Sequence, residues 1–177
     1  MFLIPGPLIS ILTFPGVIVH EISHRFFADI ARVPVYEVCY FKFGNPSGYV
    51  IHGSTKTLKQ SFLISVGPLI INSILCMLLT FAAIYPIVIL NCETYNPLFI
   101  FLLWVGISIG MHAFPSNQDA QVFVKSVKDH KGKSLLWIIS ATFSFIIKIA
   151  NLLRILWFDL FYAIIISVLL PKVVSFI

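Results

Sequence analysis

His20, Glu21 and His24 form the pattern H-E-x-x-H, spelled here His20-Glu21-Ile22-Ser23-His24. On an α-helix, residues i and i+4 share a face, so both imidazoles can bind one zinc ion. The glutamate then sits beside the metal, placed to take a proton from zinc-activated water. The motif is embedded in apolar sequence, with Phe14-Pro15-Gly16-Val17-Ile18-Val19 before it and Phe26-Phe27-Ala28 after it. Ionisable groups in such surroundings are unfavourable unless they serve a function.

Composition says what kind of chain carries the motif. Hydrophobic residues make up 59% of the 177 and charged residues only 11%, against about 25% charged in a soluble domain. The expectation is an all-α, multi-pass membrane protein of the plasma membrane, with about four or five transmembrane helices in a bundle. It forms a single domain over 1–177, with a core over about 14–120 and a C-terminal helical segment over 134–177. The net charge of +5 comes from lysines in short loops, not from a basic tract interleaved with aromatics. It reads as topology charge, and nucleic acid is not an expected partner. Cys39, Cys76 and Cys92 contain no C-x-x-C pair, and neither a disulfide framework nor a cysteine zinc site is indicated. The N-terminus is apolar from Phe2 without a basic leader, so it is read as a retained membrane segment.

Four apolar runs must position the chemistry. The first covers about Phe2 to Ile30, with Pro15 expected to kink or start the helix bearing the histidines. Residues 33–60 interrupt it. Val35 to Phe43, the turn signal Gly44-Asn45-Pro46-Ser47-Gly48 and Tyr49 to His52 read as a short β-hairpin at the membrane face. A second run, Phe62 to Leu90, contains Gly67-Pro68 and Asn72; its length predicts tilt or a break. The third run spans Pro97 to about Ala113 and ends at Phe114-Pro115-Ser116-Asn117-Gln118-Asp119. Residues 120–133 read as a polar, basic connection. The last run, Ser134 to Leu170, is either two spans bent near Lys148–Arg154 or one span with an interfacial helix.

The distribution of basic residues brings two motifs together. Five basic residues lie between Arg25 and Gln60, none in 91–96, and four in 120–133. The positive-inside rule puts the first and third regions in the cytoplasm and the second outside. His20 and His24 then approach the cytoplasmic face, as does Asp119, and two histidines with one carboxylate leave an open zinc position for water. His112, two turns before Asp119, is available as a ligand, as a hydrogen-bond donor to a ligand or an oxyanion, or as an interfacial histidine. Asn72 suits either interhelical hydrogen bonding or substrate contact. Asn117 and His52 are further polar positions that could support the ligands or touch substrate. For His52, on the hairpin, a solvent-facing role is expected over ligation.

These features resemble the site-2 protease family of intramembrane zinc metalloproteases. The likeness rests on Val19-His20-Glu21-Ile22-Ser23-His24 in an apolar helix, the hairpin, Gly67-Pro68-Leu69 with Asn72, and Pro115 to Asp119. It implies zinc held by His20, His24 and Asp119, Glu21 as catalytic base, and a membrane-protein substrate cut in or near the bilayer, with an oligomer or a regulatory membrane partner possible. The chain departs from the family's late Asn-x-x-Pro-x-Pro-x-Leu-Asp-Gly pattern. His112 stands in place of the asparagine, the spacing from Pro115 to Asp119 is one residue shorter, and Ala120 replaces the glycine. Two other readings fit parts of the sequence: a non-proteolytic zinc protein in a partner complex, and a transporter or channel subunit with Lys148, Arg154 and Asp159 along a polar path.

Overall fold

The structure, a computed structural model, describes residues 6–88, 90 and 95–174. Two short helices begin it, α1 (Gly6–Leu12) and α2 (Phe14–Ile30), bent by 89° at Thr13. Pro15 lies in the first turn of α2, where its missing N–H leaves no bond unmade; it starts the helix and does not kink it. At the other end Arg32 takes φ 55 and Val33 N–H donates to Ala28 C=O at 2.9 Å, a left-handed close of the helix. The chain then forms β1 (Val35–Cys39) and β2 (Tyr49–His52), an antiparallel pair pairing Cys39 with Tyr49 and Val35 with His52 across one bulge.

The helix α3 (Leu58–Val88) is unbroken for 31 residues, about 46 Å. It starts earlier than the apolar run because Thr57 and Gln60 cap it reciprocally: Gln60 N–H donates to Thr57 Oγ1 and Thr57 N–H to Gln60 Oε1. Next come α4 (Pro97–Met111), with Asn96 as its cap, and α5 (Asn117–Asp129). The latter replaces the polar connection expected at 120–133. Its Ala120, Phe123 and Val127 recur at three- and four-residue spacing and bury against Leu58, Val66 and Ile147. The last run divides into α6 (Leu135–Leu153), a 3₁₀ turn at Arg154–Leu156 and α7 (Phe158–Val174), with Trp157 left-handed at the junction.

Contacts along α3 order everything else. Phe62 meets Phe123 of α5 and Phe143 of α6, so α5 and α6 flank its first third. Further along, Ser73 meets Tyr162, Cys76 meets Ala163, and Thr80 meets the Ser167 carbonyl, all on α7. Hence α6 and α7 follow α3 one after the other and do not fold back as a pair. Two helical stretches, Leu58–Val88 and Leu135–Leu156, are long and apolar enough to cross a membrane, and the bent pair α1–α2 would be a third. The expected external loop 91–96 lies largely outside the described residues, as does Cys92; Cys39 and Cys76 are free thiols.

Candidate metal centre

Both motif histidines are oriented by backbone carbonyls that a helix cannot use. Pro68 has no N–H to offer the residue four before it, so the Ile64 carbonyl is left unpaired inside α3. His24 Nδ1 lies 3.0 Å from that oxygen. In the same way α4 ends at Met111, and the carbonyl of its cap, His112, lies 2.6 Å from His20 Nδ1. A carbonyl oxygen only accepts, so each Nδ1 donates, and Nε2 is the ring nitrogen left to bind a metal. Metal-binding histidines are commonly fixed by such a bond from the other nitrogen.

The helix positions that allow this are also set by specific residues. The N–H of Gly16 donates to Ser108 Oγ at 2.9 Å, and a Cβ built on Gly16 would stand 2.0 Å from the Ser108 carbonyl. Only glycine lets α2 approach α4 closely enough to bring the His112 carbonyl over His20. Asn72, fully buried, donates to the same His112 carbonyl at 2.9 Å and accepts from Ser23 Oγ at 3.2 Å. Its contacts are therefore the interhelical ones.

The two Nε2 atoms are 3.0 Å apart, and Asp119 Oδ2 lies 3.4 Å from that of His24 and 3.9 Å from that of His20. Three possible ligand atoms thus converge, an arrangement that could hold a metal ion. The three ligand atoms lie within 4.8 Å of one another, close enough to hold one metal ion. No other group of three or more possible ligands among the described residues has this closeness.

Asp119 reaches the histidines through a helix cap. Ser116 Oγ accepts from Asp119 N–H at 3.2 Å, while Asp119 Oδ2 accepts from Ser116 N–H at 3.1 Å and from its hydroxyl at 2.6 Å. This reciprocal box starts α5 and turns the carboxylate toward α2. Burial pushes the Asp119 carboxyl up, but positive charge on and hydrogen bonds from the adjoining His24 and His20 rings outweigh it and hold it well below the ordinary value. The group is ionised, as a ligand must be.

Glu21 is buried at 8% exposure, next to His20 on α2. Gly48, just before β2, closes over it: a Cβ there would stand 2.8 Å from Glu21 Cγ and 3.1 Å from both Glu21 Oε1 and the Tyr40 carbonyl. The hairpin thereby bounds the carboxylate, and glycine is required at the contact. On the other side of the histidines a cavity of about 440 Å³ opens, lined by His24, Asp119, the β2 residues Val50 to His52, and one side of α5.

The remaining sequence-derived candidates fall as follows. His52 borders this cavity, its Nδ1 lying 2.8 Å from the Gly53 carbonyl. Asn117 is exposed at the first turn of α5. The His112 ring turns away from the ligands, its Nε2 2.8 Å from Thr13 Oγ1; its carbonyl is the group that serves the site. Lys148 lines a cavity that neither Arg154 nor Asp159 borders, and those two pair with each other at 2.6 Å beside the Pro115 carbonyl. Gly48, Ser116 and Gly16 contribute to the site without having been singled out for it in the sequence. For Ser116 a signal existed, the Ser-x-x-Asp spacing.

No protein-family model, curated protein or solved structure matches this chain.

Proposed function

We propose that this chain is a zinc-dependent endopeptidase of a lipid bilayer, cleaving a membrane-spanning or membrane-associated protein. The observation that supports it most is the convergence of His20 Nε2, His24 Nε2 and Asp119 Oδ2, with both Nδ1 atoms engaged by carbonyls and Glu21 alongside. Three protein ligands leave one tetrahedral position open, the mark of catalytic as opposed to structural zinc sites. Zinc there supplies Lewis acidity and brings the pKa of water toward ~7. Glu21 takes the proton of the attacking water and passes it to the nitrogen that departs as the C–N bond breaks. The His20 and His24 rings are held in orientation by the His112 and Ile64 carbonyls at Nδ1.

The bilayer reading draws on the two long apolar stretches and the bent α1–α2 pair. In it α2, α4 and α7 pack along α3 and α6 crosses beside its first third, and the count of basic residues turns the metal toward the cytoplasm. A helical substrate shields its amides, so cleavage needs an extended segment. The free edge of β2, whose residues border the cavity, suits such a segment by strand addition.

The test compares wild type with Glu21→Gln, both reconstituted in vesicles with a panel of single-span membrane proteins. Fragments from at least one panel member with wild type, and none with the variant at equal zinc content, are expected. Identical fragment patterns from the two proteins would refute the proposal.

A further inference from the structure

A second cavity, about 550 Å³, lies between α5 and α6 on the side of α5 away from the histidines. Its polar lining is Lys125, Lys128, Lys148, Asn117, Gln121 and Asn151, and no carboxylate borders it. Among the described residues none of these three lysines takes part in an ion pair. Three uncompensated ammonium groups around one hollow favour an anion.

The surroundings say where that ligand comes from. Lys148 interrupts an outward apolar face of α6, on which Phe145 is 63% exposed, Ile149 41% and Leu152 69%. In a lipid-facing surface a bare lysine is unfavourable, and helix-flanking basic pockets bind phospholipid headgroups. From this charge pattern and the adjoining apolar face we infer that the α5–α6 cavity binds an anionic phospholipid. The phosphate lies among Lys125, Lys128 and Lys148, and the acyl chains lie along Phe145, Ile149 and Leu152. This inference rests on the bilayer reading above and on neither zinc nor proteolysis. It reaches the metal centre all the same, because Lys125 borders both cavities and the first turn of α5 carries both Asn117 and Asp119.

Native mass spectrometry of the full chain in detergent tests it, with phosphatidylglycerol, phosphatidylcholine and phosphatidic acid offered in equal amounts. Wild type should retain phosphatidylglycerol over phosphatidylcholine by about ten-fold or more. The triple variant Lys125→Gln, Lys128→Gln, Lys148→Gln should lose that preference, whereas Lys131→Gln with Lys133→Gln, which removes charge outside the cavity, should keep it. Glu21→Gln should bind as wild type does, so an inactive peptidase would leave the measurement intact. Equal retention of all three lipids by wild type, an unchanged preference in the triple variant, or complete displacement by excess inorganic phosphate would each overturn the inference.

Discussion

The two sides of the candidate metal centre are built differently. On the α2 side, His20 and His24 are nine-tenths buried or more, and each ring is held by a carbonyl that a proline or a helix end has released. Asn72 and Gly16 then lock the helices that supply those carbonyls. On the α5 side, Asp119 is 31% exposed and is held by a serine cap on a 13-residue helix. The histidines are preset by the bundle, while the carboxylate depends on a cap at the edge of it. Zinc binding should therefore be sensitive to remote changes in α3 and tolerant of changes around the α5 cap.

The largest effect should come from the preset side itself. His24→Ala removes a ligand and should weaken zinc binding by well over the ~10–100-fold typical when only an outer partner is lost. Competition with a chromogenic chelator measures this, and an effect no larger than that of changing Asn72 would break the contrast.

Pro68→Ala comes next. The substitution gives residue 68 an N–H that can reclaim the Ile64 carbonyl from His24. Zinc affinity should fall by roughly 10–100-fold while circular dichroism shows the helix content kept. Unchanged affinity would mean that the freed carbonyl does not orient His24.

Gly48→Ala separates base from metal. The added methyl has to displace Glu21 or the hairpin, so turnover should drop by about ten-fold, part of the 10²–10⁴ that a positioned base contributes. Zinc content should stay at the wild-type value. A parallel loss of both would place the hairpin among the supports of the ligands.

Ser116→Ala should do least. Losing the cap costs about 1 kcal/mol, or at most roughly five-fold in zinc affinity if all of it falls on Asp119. A loss as large as that from Pro68→Ala would show the two sides to be equally determined.

The same contrast runs through what could be read in advance. His20, Glu21 and His24 were legible because helical spacing alone puts them together, and Asp119 because charge asymmetry places its end of the chain beside theirs. Gly67-Pro68 signalled freed carbonyls without saying which side chain would use them, since that depends on how α2 crosses α3. His112 was weighed by its imidazole, but its carbonyl serves the site, and backbone groups leave no mark in side-chain identity. The helix α5 was missed because its composition is polar and basic; only Ala120, Phe123 and Val127 mark the buried stripe. The succession of α6 and α7 along α3 is a matter of tertiary packing between segments far apart in sequence, which no local pattern encodes.

The most direct test of the account is the zinc content of the full chain, purified in detergent without chelator, beside that of the double variant His20→Ala, His24→Ala. The arrangement of the three donors predicts close to one zinc per wild-type chain and close to none in the variant. A folded wild type without zinc, or a variant that retains it, would contradict the metal centre described above.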